Sequence, residues 1–410
     1  MSNPKTFIFV SIDGMTDPLG QSQVLPYLVN LSKLGYRIGI VSCEKKENWN
    51  LNSKLIKEIL QEANISWDYC FYKIGKPFVS QLQNYLSLKK IVISKVKHND
   101  SSVILHCRSY LPGLIGLYSK KKYNSGFIFD MRGFWADERI EGGIWNKNSI
   151  IGSFLYSYFK KKEKEMLIHS SHIVSLTNKA KEKISGWELF NDGAKISVIP
   201  CCADLHHFSK ANINHRKLNF IQEKFPQLKN KFILSYVGSL GTWYMADEML
   251  AFFKILSKKT DSIFLIITKD DSNLIHDAAK KAGVELSNLI IVSSSREDIP
   301  SYISLSSASL FFIKPTFSKS ASSPTKMGEL LSMGVPIITN TGIGDVDSIV
   351  KDTRCGVLIN NFNNQDYKVA IEDLLKNFDN YTTNTIDTAH RYFSLNDGVE
   401  KYKKIYQSFS

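Results

Sequence analysis

Ser323-Pro324-Thr325-Lys326-Met327-Gly328-Glu329-Leu330-Leu331-Ser332-Met333-Gly334-Val335-Pro336-Ile337-Ile338-Thr339-Asn340 reads as a helix, a glycine stop and a buried strand in immediate succession. Pro324 suits the first turn of the helix, where its missing N–H costs nothing. The apolar run Leu310–Ile313 precedes this unit, so the order is strand, loop, helix (Thr325–Met333) and strand (Pro336–Thr339), the makings of a parallel sheet. The residues before the helix, Ser322 and Ser323 among them, offer hydroxyls and exposed amides at a positive helix end, a seat for a diphosphate. Lys326 adds a full positive charge there. Glu329 follows nearly one helical turn later on the same face. A carboxylate in that place can accept two hydrogen bonds from a vicinal diol such as a ribose.

The same alternation extends in both directions. Thr6–Ile12, Arg37–Cys43, Val103–His106, Phe127–Asp130, His172–Leu176 and Ile196–Pro200 read as buried strands, with helical patterns such as Ser22–Lys33, Lys54–Ala63 and Ser80–Lys97 between them. The pattern restarts with Phe232–Val237, Ile263–Thr268 and Leu289–Val292 and closes with Gly356–Ile359, separated by helices at Asp247–Ser257, Ser272–Ala282 and Ser301–Ser306. Strand and helix in alternation mean an α/β fold, a parallel sheet with helices on both faces. Two such halves in tandem predict an amino-terminal domain over 1–205 and a second over 206–385. A last helical segment, 386–410, is expected to return to the first domain. Ligands of such sheets sit beyond the carboxyl ends of the strands, which puts the expected site in a cleft between the halves.

Composition narrows the function classes. The 410 residues are 43% hydrophobic and 22% charged, the balance of a globular chain long enough for two domains. Six scattered cysteines form no CxxC pair and read as small core residues in a reducing compartment. The opening MSNPKTFIFVSIDGM lacks the pattern of a signal peptide, and no apolar run approaches the ~18 residues of a membrane span, so a cytoplasmic location is expected. The net charge of +13 gathers in part at Lys120-Lys121-Lys122 and at Lys160-Lys161-Lys162 with Lys164. No nucleic-acid reading module accompanies it. An anionic membrane surface and a plain solvated surface both account for the clusters.

Three further loops stand at strand ends. Asp13-Gly14-Met15-Thr16-Asp17-Pro18-Leu19-Gly20-Gln21 follows the first strand, and its glycines allow a ligand close to the backbone or simply make a tight turn. Tyr236-Val237-Gly238-Ser239-Leu240-Gly241-Thr242 repeats the arrangement in the second half, with the same two readings. Neither loop is GxGxxG, so a nicotinamide cofactor is unsupported. The third, Phe129-Asp130-Met131-Arg132-Gly133-Phe134-Trp135-Ala136-Asp137-Glu138-Arg139, concentrates charge and aromatics, and His106 with Arg108 ends a neighbouring strand. Each charge taken singly reads first as a structural salt bridge; their grouping at strand ends favours a site.

The run from Ser323 to Asn340 resembles the donor-binding segment of family 4 retaining glycosyltransferases, which have the GT-B fold. Asp13-Gly14 through Gly20 is similar to that family's first acceptor-side loop, and Ile199-Pro200-Cys201-Cys202-Ala203-Asp204 with Phe208 to its interdomain stretch. Gly344-Asp345, Ile349-Val350 and Gly356-Val357-Leu358 resemble the segment after the donor helix. The resemblance implies two Rossmann-like domains facing a central cleft and transfer of a sugar from a UDP-, GDP- or dTDP-linked donor to a glycan or lipid-linked acceptor, in surface polysaccharide biosynthesis. It places Gly20, Gly238, Ser239, Gly241, Ser322, Ser323, Pro324, Thr325, Lys326 and Glu329 at the donor. It places Asp13, Asp17, Gln21, His106, Arg108 and Glu138 at the acceptor. Asp130 and Arg132 stand where family members carry a histidine beside the donor sugar, so they join Lys326 and Glu329 as candidate catalytic residues.

The chain also departs from the family pattern. The first of the family's two donor-segment glutamates falls on Ala321, and its usual basic pair falls on Ser239 and Thr242-Trp243. Lys326, with Lys269 or Arg296, is the available replacement. Retention implies no dedicated base, because the departing diphosphate can take the acceptor's proton while the protein orients the partners and stabilises charge. Asp345-Val346-Asp347 looks like a metal-binding DxD, yet it sits at a helix start, where an Asp is expected as a cap. No metal or other cofactor is therefore expected, only the nucleotide sugar as co-substrate. A sugar-nucleotide epimerase of the same fold and a non-catalytic nucleotide-sugar binder remain open alternatives at this level.

Overall fold

The computed structural model describes residues 5–98, 103–190 and 195–409. It divides into two compact units, Met1–Cys201 with Leu395–Ser410, and Cys202–Ser394. In the first unit the order is β1 (Thr6–Ser11), α1 (Pro18–Gln23), α2 (Leu25–Lys33), β2 (Arg37–Glu44), α3 (Lys46–Glu62), β3 (Ser66–Phe71), α4 (Pro77–His98), β4 (Val103–Arg108) and α5 (Tyr110–Tyr123). It continues through β5 (Gly126–Asp130), α6 (Trp135–Glu141), α7 (Ile150–His169), β6 (His172–Ser175), α8 (Asn178–Ser185) and β7 (Ile196–Val198). The strands form one parallel sheet ordered β3-β2-β1-β4-β5-β6-β7.

The second unit runs α9 (His215–Lys224), β8 (Phe232–Val237), α10 (Ala246–Lys259), β9 (Ser262–Ile267), α11 (Ser272–Ala282), β10 (Leu289–Val292), α12 (Ile299–Ile303) and β11 (Ala308–Phe311). Then come α13 (Thr325–Ser332), β12 (Ile337–Asn340), α14 (Val346–Thr353), β13 (Gly356–Ile359), α15 (Asn364–Lys376), α16 (Phe378–Thr383) and α17 (Thr385–Phe393). Its sheet is also parallel, ordered β10-β9-β8-β11-β12-β13. The final helix, α18 (Leu395–Gln407), belongs to the first unit, so the expected single segment 386–410 is divided at Ser394 between the two. Tyr406 of α18 stacks on Phe7 at 3.8 Å, and Tyr402 meets Tyr27 edge-on at 5.4 Å.

Both sheets are doubly wound. The strand order reverses between β1 and β4 in one and between β8 and β11 in the other, and the crevice beyond such a reversal is where this architecture binds ligands. The strands are apolar runs because helices cover both faces; Ile263-Phe264-Leu265-Ile266-Ile267 is wholly buried.

The differences from the sequence reading have local causes. β3 is a half-exposed edge strand, recruited by pairing with β2 from Gly39↔Ser66 to Glu44↔Phe71, and it has no apolar run to announce it. Helix α5 carries Pro112, Gly113 and Gly116, which obscure it in sequence. A Cβ on Gly113 would lie 2.6 Å from Met166 Sδ, and one on Gly116 would lie 2.3 Å from the Phe127 ring, so these glycines seat the helix on the sheet. The strand expected through Ile313 ends at Phe311, because the buried Asn340 amide accepts from Ile313 N–H (2.8 Å) and donates to its carbonyl (2.9 Å). None of the six cysteines is in a disulfide, and five are buried. Among the described residues no helix is long and apolar enough to cross a membrane.

Candidate functional site

In the second unit, the loops after β8 and β11 flank the reversal point. β8 ends in Gly238 at φ +122°, a conformation open to glycine, and a Cβ there would lie 3.0 Å from Lys326 Nζ. Lys326, in the first turn of α13, donates to the Tyr236 hydroxyl (3.2 Å) and lies 3.7 Å from the Tyr244 ring centre. It makes no ion pair among the described residues. Burial pushes its pKa down to about 7, with Glu329 opposing the shift. Pro324 stands one place ahead of the helix, at the cap rather than inside the first turn, and no side chain caps the helix. The opening amides of α13 thus lack a side-chain acceptor and share their surroundings with a lysine that a neighbouring anion would recharge.

Glu329 follows on the same helix and pairs with Arg296 Nη1 at 3.3 Å. Burial raises the Glu329 pKa, while Arg296, Lys326 and His207 pull against it. Arg296, in the loop after β10, lies over the Phe208 ring at 5.2 Å, and its carbonyl accepts from His207 Nε2 at 3.1 Å. Gly328 is needed beneath this face, since a Cβ would lie 2.7 Å from Phe393 of α17 and 3.1 Å from Ala203. The structure therefore gathers Gly238, Arg296, Lys326 and Glu329, with Ser322, Ser323 and Thr325 half-buried at the start of α13. Lys269 is exposed beyond β9. The Ser239 hydroxyl donates to Asp270 (3.0 and 3.2 Å), as does Leu240 N–H (2.5 Å), so that side of the loop is already engaged. Ser239 and Gly241 instead line a cavity of about 410 Å³ with Leu250, Ile266 and Ile275.

The first unit has its own reversal point, at the ends of β1 and β4. Glu44, fully buried at the end of β2, accepts from Met15 N–H (2.8 Å), Thr16 N–H (3.0 Å), Thr16 Oγ1 (2.5 Å) and Ser42 Oγ (2.6 Å). That carboxylate organises the first glycine loop, and sequence inspection did not single it out. A Cβ on Gly14 would lie 2.6 Å from Glu44 Oε2, and one on Gly20 would lie 2.1 Å from the Gly14 carbonyl, so both glycines serve close packing here. Asp17 pairs with Lys45 (2.8 Å) and accepts from Asn48 (2.5 Å); Gln21 donates to the Thr16 carbonyl (2.9 Å). Asp13 stands 3.5 Å from Arg108.

Asp130 and His106 lie deeper, each 1% exposed beneath α18. Tyr402 donates to Asp130 (3.2 Å), and His106 Nδ1 meets the Tyr406 hydroxyl at 2.9 Å. Burial opposes the Asp130 charge, but Arg132, His106 and Arg108 outweigh it and hold the carboxyl below its usual range. Arg132, at φ +59°, donates to Cys201 Sγ at 3.2 Å. Ser109, at φ +68°, donates its N–H to the Asp130 carbonyl oxygen (2.7 Å). Strained backbone at two neighbouring strand ends is typical of sites. Glu138 is half-buried on α6.

The acidic motif at Asp345 to Asp347 and lysines of both basic clusters are structurally engaged. Asp347 accepts from Gly342 N–H (3.1 and 3.3 Å), fixing the loop before α14 instead of capping at Asp345. Lys160, expected in a surface cluster, bridges Asp137 (2.9 Å) and Glu163 (2.5 Å), and Tyr110 also donates to Glu163. Lys121 and Lys162 share Glu165 at 2.7 and 2.9 Å.

Two doubly wound parallel units, one with a cation and a carboxylate at the opening of a helix beyond its reversal point, define an α/β class whose ligands sit beyond the strand ends. Residues 219–390 match the family model described as glycosyl transferases group 1. The chain is 28% identical over 372 residues to UDP-Gal:alpha-D-GlcNAc-diphosphoundecaprenol alpha-1,3-galactosyltransferase of Escherichia coli, covering 86% of this chain and 88% of the relative. It is 22% identical over 355 residues to a capsular polysaccharide biosynthesis glycosyltransferase of Staphylococcus aureus, covering 85% and 82%. A glycosyltransferase structure from Rickettsia africae superimposes with a TM-score of 0.69 at 19% identity, covering 99% of each chain. The fold is GT-B, and the matches together support a glycosyltransferase.

Proposed function

We propose that this chain is a retaining glycosyltransferase that moves a sugar from a nucleotide diphosphate, UDP in the first instance, onto a lipid-linked acceptor in surface polysaccharide assembly. The observation that carries the reading is Lys326: a half-buried lysine with no carboxylate at ion-pair distance among the described residues, between Gly238 and the uncapped start of α13. A diphosphate there supplies a counter-charge, and the opening amides of α13, which no side chain caps, add donors. Glu329, braced by Arg296, then faces the ribose diol. The E. coli relative, by its name, uses UDP-Gal, makes an alpha linkage and acts on a diphosphoundecaprenol acceptor, which supports the choices of nucleotide, stereochemistry and acceptor class.

In the transfer, the bond from the anomeric carbon to the diphosphate oxygen breaks and a bond to the acceptor oxygen forms on the same face. The acceptor's proton passes to the departing diphosphate, so no side chain acts as base. Lys326 and the α13 amides stabilise the charge that grows on the leaving oxygen, where preorganised donors in a dry site contribute most. The acceptor side belongs to the first unit, with Asp13, Asp17 and Arg108 at the strand ends.

The test is incubation with UDP-, GDP- and dTDP-sugars and sugar-diphosphate-lipid acceptors, reading product by mass and anomeric configuration by NMR. An alpha product from an alpha donor is expected. Epimerised donor without transfer, or an inverted product, would sink the reading.

A further inference from the structure

The first unit carries an apolar opening on its helical face. Helices α4, α5 and α7 enclose a groove of about 730 Å³ walled by Leu82, Tyr85, Leu114, Phe154 and Tyr158. Its rim is unusually apolar for a surface: Phe78 is 62% exposed, Leu82 48% and Phe154 68%. Lys121, Lys122 and Lys162 stand along it against one acid, Glu165.

A polar pocket of about 200 Å³ lies at the strand ends of the same unit, lined by Asp13, Asp17, Lys45, Asn84, Trp135 and Arg139. The two openings adjoin, because Gln81 and Leu111 line both. Trp135 forms the partition: it lines the polar pocket and packs on Trp145 (5.3 Å) and Phe159 (4.8 Å), which line the groove. Within the pocket, Lys45 is engaged by Asp17, and Asp13 faces Arg108. Arg139 lies over the Trp135 ring at 4.7 Å and has no ion-pair partner among the described residues, although burial works against its charge.

A ligand that fills both openings has a hydroxyl-rich anionic head and a long apolar tail. We infer that the pocket and groove form one acceptor track for a sugar-diphosphate-isoprenoid, with the sugar at Asp13 and Asp17, the diphosphate at Arg139 and the isoprenoid chain between α4, α5 and α7. The inference rests on the proposed transfer to a lipid-linked acceptor and locates its lipid. The sugar then meets the carboxyl ends of β1 and β4, where the chemistry of this architecture takes place, and the chain leaves along the helices.

The test uses the full chain with farnesyl diphosphate, inorganic diphosphate and UDP as separate probes, titrated by calorimetry. Farnesyl diphosphate should bind at least about tenfold tighter than inorganic diphosphate, the difference coming from apolar burial in the groove. Phe154→Asp and Leu82→Asp should each abolish that difference, and both sites are exposed enough for the fold to survive, checked by unchanged thermal melting. Arg139→Gln should weaken both diphosphates. UDP affinity, a property of the second unit, should stay unchanged in all three variants; loss of UDP binding in the parent would instead refute the donor reading and leave this comparison intact. Equal affinity for the two diphosphates, or no effect of Phe154→Asp and Leu82→Asp, would overturn the track. So would binding to phosphatidylglycerol vesicles that these substitutions abolish while farnesyl diphosphate gains nothing over diphosphate, which would make the face a membrane contact.

Discussion

With Lys326 at the proposed diphosphate seat, nucleotide binding should depend on pH. In the free protein burial beside Tyr236 and Tyr244 pushes its pKa down to about 7, against about 10.4 for an ordinary lysine. A diphosphate within contact restores the charge and raises the pKa in the complex, so binding takes up a proton wherever the free lysine is neutral. Between about pH 7.5 and about pH 9 the Kd for UDP should therefore rise about 25-fold, or ~1.9 kcal/mol, while the terminal phosphate, with a second pKa near ~6, stays ionised. Calorimetry in two buffers of different ionisation enthalpy reads both the Kd and the proton taken up. Lys326→Met should bind weakly and show little pH dependence in the same window. Stability gives an independent reading with a defined sign. The unfolded lysine binds more protons than the folded one between about pH 7 and about pH 10.4, so stability should rise with pH across that interval in the parent and not in Lys326→Met. A parent whose Kd and proton uptake match those of Lys326→Met would refute the assignment of this lysine to the diphosphate.

Glu329→Ala should lower transfer by about ten- to a hundredfold, the loss of hydrogen bonds to a charged acceptor, with thermal melting little changed; unaltered donor affinity would remove Glu329 from the ribose. Glu44→Ala leaves two backbone amides and two hydroxyls of the first loop without their acceptor, so it should cost roughly 3 kcal/mol or more in chemical unfolding. Transfer should survive EDTA, since Lys326 and the α13 amides supply the positive charge and Asp347 is engaged by Gly342; activity lost to chelation and restored by magnesium or manganese would reverse that expectation.

The alternating apolar runs by themselves determine two parallel sheets, the edge strand β3 aside, because a strand covered on both faces must be apolar along its length. The helix that opens after Pro324 was legible for a similar reason. Lys326 and Glu329 lie nearly one turn apart on one short helix, so helical geometry alone puts the lysine and the glutamate on a shared face. Tertiary structure decided what spacing cannot encode. Arg296 meets Glu329 from a distant loop, and Asp270 reaches the amide of Leu240 from the end of β9. Glu44 is a single acid at the end of a strand, and only the close approach of β2 to the first loop shows that it holds four donors. Asp130 and His106 looked like site residues because they end adjacent strands. The structure buries them beneath Tyr402 and Tyr406 of α18, and Tyr402 stands 272 residues beyond Asp130 in the chain. Local periodicity reports which face of an element is apolar. Which remote group arrives to neutralise a charge on it is set by the order of strands in the sheet and by the path of the chain that returns to it.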